Sequence, residues 1–299
     1  MGHLSSAEIR NCVVVSMSTN GSNANSNQNV NNWSNSNNNR TPQAQLFGAI
    51  QNGNLARVRE LLNSGQVNTT TRFGNWSPLF TAAAGNGGTN MIRLLLNRGA
   101  NVNSPGYRNA KPLHAACRDG KRDVAQMLIQ AGAAVNSRDD YDLTPLHMAV
   151  LRGHMNCARL LLENGALINA RDNQGNTPFL YACINARMGF IRYLAREGAD
   201  VNVRGTNGDT PLSMVLSSVR FPTVTARADA LRFLMRIGAV ANRQDMHNAL
   251  ARTRNSPTLR NALTRQFPGG FLNMSTRRET GMPRRGRQRA NFNKFRVSN

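Results

Sequence analysis

Thr144-Pro145-Leu146-His147-Met148-Ala149 decides the fold. A hydroxyl stands directly before a proline whose fixed φ suits the first helical turn, and a helix-compatible run follows. Outward from this stretch the pattern repeats. A Pro-Leu or Pro-Phe pair recurs at Pro78, Pro112, Pro145, Pro178 and Pro211, at spacings of 34, 33, 33 and 33. A glycine recurs at Gly65, Gly99, Gly132, Gly165, Gly198 and Gly238, at spacings of 34, 33, 33, 33 and 40. Each glycine from 65 to 198 lies 13 residues before the next of these prolines. Two landmarks keeping one period over five copies mark a repeat architecture, in which each unit buries its apolar face on its neighbours.

The contents of the period give it a shape. Thr177-Pro178 and Thr210-Pro211 repeat the capped start, Ser77-Pro78 keeps the hydroxyl, and Lys111-Pro112 loses it. The spacing predicts a short first helix closed near Gly87, Gly120 and Gly153. A second helix carries a leucine triplet or its equivalent, as in Leu94-Leu95-Leu96 and Leu160-Leu161-Leu162. It stops at the recurring glycine, which suits the left-handed conformation after a helix end. A stretch rich in Asp, Asn and Gly, such as Arg171-Asp172-Asn173-Gln174-Gly175-Asn176, makes the return turn.

This pattern resembles the ankyrin repeat, whose Thr-Pro-Leu-His-x-Ala signature stands unbroken at 144–149. The resemblance covers roughly residues 42–267. It implies an all-α solenoid of about six to seven helix-turn-helix units with β-turn or hairpin tips. The outer units are degenerate, as expected of caps that have one neighbour only. At the front, Thr41-Pro42 and a helix over Ala44–Gln51 precede a second helix within 53–62; at the back, Met246–Arg254 and Pro257–Phe267 read as a last pair. Unit 78–99 holds one extra residue, placed in the Gly85–Gly88 stretch. Unit 211–238 holds seven, placed around Arg220-Phe221-Pro222-Thr223-Val224-Thr225. A proline and a β-branched run extend a helix poorly, so a projecting loop is predicted, either a tolerated insertion or a partner contact.

Two tails flank the repeats. Residues 1–41 form an Asn/Ser-rich segment, with 11 Asn within 16–40, and 268–299 combine Pro, Gly and Arg with one acid, Glu279. Neither tail can bury enough surface to offset its ordering entropy, so both are predicted disordered.

The chain has 299 residues, with 37 Lys plus Arg against 15 Asp plus Glu, a net charge of +22. Only Lys111, Lys121 and Lys294 are lysines. The arginine bias favours carboxylate, phosphate or aromatic partners, which the planar fork matches. Residues 242–299 alone hold 13 bases and 2 acids, half of the excess. No apolar run approaches the ~20 residues needed to span a bilayer, and Val13-Val14-Val15 is too short for a secretory signal. Cys12, Cys117, Cys157 and Cys183 lack paired short spacing, so neither a disulfide framework nor a zinc site is indicated. An intracellular chain, cytoplasmic or nuclear or both, is expected.

No catalytic constellation emerges. His114 and His147 hold the fourth place of the signature; the resemblance implies an imidazole bonded to the neighbouring turn, and His154 matches the family's Gly-His pair. The resemblance implies a small buried residue at Cys117 and Cys183, and Cys157 sits on the apolar face of a second helix, so inert thiols are expected. Phosphate loop, dinucleotide fingerprint and zincin helix are all missing. The reading is therefore non-enzymatic, with no cofactor and no metal.

The resemblance turns alignment columns into stripes roughly 10 Å apart per step. Seven residues before each proline stand Thr71, Pro105, Arg138, Arg171 and Arg204. The three arginines would attract an acidic partner or form local ion pairs with Asp139, Asp140 and Asp172. Three residues after each proline, on the groove side in family members, Met148, Tyr181 and Met214 could seat a peptide or pack between units. At the front, Phe73 and Trp76 place two aromatics on one turn as contact candidates. Asn68, Asn103, Asn136, Asn169 and Asn202 close successive units and read as turn stabilisers.

In the C-terminal tail, Arg277, Arg278, Arg284, Arg285, Arg287 and Arg289, interleaved with Phe292 and Phe295, suit phosphates and bases, an import receptor or an acidic protein. Met1-Gly2-His3-Leu4-Ser5-Ser6 fits the loose myristoylation pattern, so a membrane partner is expected only if Gly2 is acylated. The function expected is a scaffold or adaptor binding a protein through turn tips and concave face. The alternative is a nucleic-acid-associated or nuclear factor working through the basic tail. No oligomeric state follows from the residues.

Overall fold

A computed structural model of the chain describes residues 41–206 and 208–240. These residues form paired helices: α1 (Pro42–Gln51) with α2 (Leu55–Asn63), α3 (Pro78–Ala84) with α4 (Gly88–Asn97), α5 (Pro112–Arg118) with α6 (Arg122–Gln130). Three further pairs follow: α7 (Pro145–Arg152) with α8 (Met155–Glu163), α9 (Pro178–Ile184) with α10 (Met188–Arg196), and α11 (Pro211–Ser217) with α12 (Val224–Arg236). The first helices of the pairs pack on one another in a continuous row, and each second helix packs on its own partner. Among the described residues there is no strand, only a single antiparallel bridge between Phe73 and Trp76. The expected last pair at 246–267 and both tails lie outside the described residues.

Each first helix starts as its sequence dictates. The side chains of Thr41, Ser77, Thr144, Thr177 and Thr210 accept from backbone N–H groups three residues on, satisfying donors the first turn leaves unpaired. Lys111 has no side-chain cap bond, and there His114 Nδ1 accepts the Lys111 N–H instead, at 3.1 Å. The recurring glycines close the second helices. Gly165, at φ 81°, lets its own N–H reach Leu162 and the Ala166 N–H reach Leu161, at 3.1 and 2.9 Å.

A single apolar core runs the length of the stack, anchored by the fully buried Phe47, Phe80, Leu113, Leu146 and Phe179. Burying each such side chain contributes roughly 1.5–3 kcal/mol. The front follows the sequence reading and the back departs from it. The front unit is a complete pair, with α1 beginning at Pro42 under the Thr41 cap. The seven-residue insertion does not project as one loop. Three of its residues lengthen the 218–223 connection and four lengthen α12, which Thr223 caps by accepting the Ala226 N–H at 3.0 Å. Val224 and Thr225 thus open a helix, and Phe221 turns into the core with 7% exposure, because an aromatic gains more from burial than a surface loop offers. The single extra residue does fall at Gly85–Gly88, where the Asn86 N–H crosses to the Gln51 carbonyl of the preceding unit at 3.2 Å.

Candidate functional site

The turn tips are built around carboxylates. Asp139 is buried, and its Oδ1 accepts from the Tyr141 and Leu143 N–H groups at 2.9 Å each. Asp172 repeats this with Gln174 at 2.9 Å and Asn176 at 2.8 Å. Its Oδ2 accepts the Tyr181 hydroxyl at 2.6 Å. Burial pushes the Asp139 carboxyl up to about 6 and raises that of Asp172. Neither acid pairs with the arginine column, contrary to one sequence expectation, because both are turned inward to hold their own turns. Asp142 alone approaches it, 3.9 Å from Arg138.

Main-chain bonds join one tip to the next. Asp140 N–H donates to Arg108, Asn173 N–H to Tyr141, and Thr206 N–H to Gln174, at 3.0, 3.1 and 3.0 Å. The arginine column adds a second row. Arg138 donates to the Arg171 carbonyl at 2.6 Å, and Arg171 to the Arg204 carbonyl at 2.7 Å. All three arginines remain exposed, the first two while so fixed. The structure therefore aligns Arg138, Arg171 and Arg204 along one edge and ties each of the first two to its neighbour.

Other predicted contacts lie deeper. Phe73 and Trp76 are half-buried, not a free hairpin tip: Phe73 meets Phe47 with centroids 5.8 Å apart, and Trp76 meets Phe80 edge-on at 5.2 Å. The aromatic faces gain more from closing the first junction than from facing water. Tyr181 and Met214 are buried at 9% and 7% exposure, which leaves Met148 as the half-exposed member of the expected apolar seat. Arg277, Arg278, Arg284, Arg285, Arg287 and Arg289 lie outside the described residues.

A cluster missed by the columns stands at the second and third tips. Tyr107 and Tyr141 are 49% and 37% exposed. The Arg108 guanidinium lies 5.0 Å from one ring centroid and 4.8 Å from the other, and it donates to the Tyr141 hydroxyl. Arg108 reaches this position from a left-handed backbone, φ 52°. A signal was present: Phe73 and Tyr107 stand five residues before their prolines and Tyr141 four, so the aromatics sit near one column but out of strict register.

Residues 46–139 and 134–205 match a family model described as ankyrin repeats in three copies. The chain belongs to the ankyrin repeat family. Ankyrin repeats are generally protein–protein interaction modules. No curated protein matches the chain.

In ankyrin terms, the signature histidines are structural. His114 Nε2 meets the Leu143 carbonyl at 2.9 Å and His147 Nε2 the Asn176 carbonyl at 3.3 Å, each in the next unit's turn. Burial lowers both imidazoles to about 4, so they are neutral donors near neutral pH. The asparagine column does more than steady its own turn. Asn136 donates to the Gly165 carbonyl and accepts the Leu167 N–H, at 3.0 and 2.8 Å, bridging two units. Asn103 and Asn202 make the same pair of bonds. Asn68 stands one residue out of this column, and Thr69 takes the place, donating to the Arg98 carbonyl at 3.3 Å. Cys117, Cys157 and Cys183 are buried free thiols; burial raises Cys183, and the adjacent Cys157 together with burial raises Cys117. Among the described residues no group of three His, Cys, Asp or Glu is placed to hold a metal, and no helix is long and apolar enough to cross a membrane.

Proposed function

We propose that this ankyrin solenoid is a non-catalytic scaffold or adaptor that receives a protein partner on its turn tips and the adjoining first-helix face. The observation that carries this reading is the Tyr107–Arg108–Tyr141 group, two exposed phenol rings flanking a guanidinium. Tyrosine and arginine dominate binding energy at interfaces. The tip row is cross-linked through its backbone before any partner arrives, which lowers the ordering cost of association. Arg138, Arg171 and Arg204 continue the same edge with positive charge, which favours an acidic partner and speeds encounter. The buried histidines and thiols are absorbed by the fold, so the reading assigns no reaction and no cofactor.

The test is affinity purification with the full chain, with and without nuclease, beside a Tyr107→Ala/Tyr141→Ala variant. Loss of a nuclease-resistant protein from the variant, at unchanged melting temperature, supports the tips as the site. Retention of that protein overturns it. The charge of residues 242–299 favours a second reading, a nucleic-acid-associated or nuclear factor. Recovery that vanishes with nuclease and on deleting residues 268–299 would assign the function to that tail.

A further inference from the structure

The second helices carry a column that neither the tips nor the first-helix face uses. Six residues before each recurring glycine stand Arg59, Arg93, Gln126, Arg159, Arg192 and Arg232. All five arginines are exposed. Neighbouring helices pack about 8–10 Å apart, so the column forms a line of guanidinium groups along the outer side of the stack.

Two members are held in place by the next unit. The Arg159 guanidinium lies over the Tyr193 ring, 5.0 Å from its centroid, and Arg192 over Phe233 at 5.9 Å. Stacking on a ring fixes the guanidinium plane while its N–H donors stay in that plane, open to a carboxylate fork. Arg59, Arg93, Arg159 and Arg192 make no hydrogen bond or ion pair among the described residues. Two nearby acids are engaged: Glu60 pairs with Arg57 at 2.5 Å, and Asp229 with Arg232 at 2.5 Å. Glu163 and Glu197 are exposed toward the C-terminal ends of α8 and α10.

We propose that this outer arginine line binds an extended acidic polypeptide segment whose carboxylates recur about every third residue. Three extended residues span about 10 Å, one step of the stack. An evenly charged polyanion fits less well. A nucleic-acid strand carries a charge every ~3.4 Å and would set unmatched phosphates against Glu163 and Glu197, whereas a peptide can place neutral residues there. Tyr193 and Phe233 are already covered by arginines, so they offer no stacking platform for bases. The site is separate from the tips and does not depend on the function proposed for them.

Titration of the full chain with a labelled peptide of repeated Glu-Ser-Ser triplets, at low salt, tests this by fluorescence anisotropy. The same residues rearranged with contiguous glutamates, and single-stranded DNA, serve as comparisons. The triplet peptide binds most tightly. Arg93→Gln, Arg159→Gln and Arg192→Gln each weaken it about twofold to fivefold, and the triple variant about tenfold or more, at unchanged melting temperature. Tyr107→Ala/Tyr141→Ala leaves the affinity unchanged. Equal binding by the triple variant overturns the proposal. So does equal or tighter binding of the contiguous peptide or the DNA, or a loss seen only on neutralising Arg284, Arg285, Arg287 and Arg289.

Discussion

The junction between the first two units and the junctions farther along are made of different materials. At the front, Phe73 of the second unit's turn packs on Phe47 of the first, and Trp76 of the same turn packs edge-on against Phe80. Asn68 keeps its amide for its own turn, accepting the Thr70 and Thr71 N–H groups at 2.9 Å. In the middle the junctions carry polar staples to fixed points one unit on: Asn103 and His114 at one, Asn136, Arg138 and His147 at the next, Asn169 and Arg171 at the one after. Apolar contact tolerates a change of register that directional bonds do not. Unit 78–99 absorbs one extra residue at the front, the units between Gly99 and Gly198 keep 33, and the seven extra residues of 211–238 lie between points that the Asn202 staple still joins.

Phe80→Ala breaks this contrast most severely. It empties a buried aromatic site at a cost of about 3–5 kcal/mol. Urea unfolding then splits, with tryptophan fluorescence changing at lower denaturant than helical circular dichroism. A single coincident transition would show that the two kinds of junction unfold as one.

Acid separates the junctions next. The His114 and His147 imidazoles, lowered to about 4 in the fold, protonate in the unfolded chain near 6.5. The unfolded state therefore binds more protons between those values, and the stability present above about 6.5 is lost as pH falls toward about 4. Asp139 acts oppositely: raised from 3.8 to about 6, its contribution is present at low pH and lost as pH rises through that window. Denaturant midpoints measured across pH should fall on acidification in the wild-type chain. They should fall less in His147→Gln and more steeply in Asp139→Asn.

Asn136→Ala removes a staple and is expected to cost about 1–3 kcal/mol, against less than about 1 kcal/mol for Asn68→Ala, which loosens one turn. Equal losses in thermal melts would remove the distinction between the two regions. Arg138→Ala should be smallest, at about 0.5–1 kcal/mol, because its half-exposed guanidinium can exchange protein for water.

The fold was legible because period, cap and stop signals all agree on one architecture. The surface was legible only as columns. Sequence spacing places Arg138, Arg171 and Arg204 in line, but it cannot say that the first two guanidinium groups turn to a carbonyl of the next unit. Nor does it say that Asp139 and Asp172 face inward, since a carboxylate beside an arginine reads alike whether it pairs outward or holds its own turn. Tyr107 and Tyr141 escaped because a shift of one position between tips breaks the column while the rings still meet around Arg108. For Phe73 and Trp76 the same holds: aromatic residues at a tip look identical in sequence whether or not a neighbouring Phe lies beneath them.

The staples share one property with a wider consequence. His114, His147, Asn136, Arg138 and Arg171 all direct their bonds to main-chain atoms of the following unit. The receiving half of each of these staples is therefore blind to side-chain identity. A unit duplicated, deleted or exchanged between these positions would find its polar bonds waiting without a matching polar substitution next door, so the array can change length while that part of its junction chemistry stays the same.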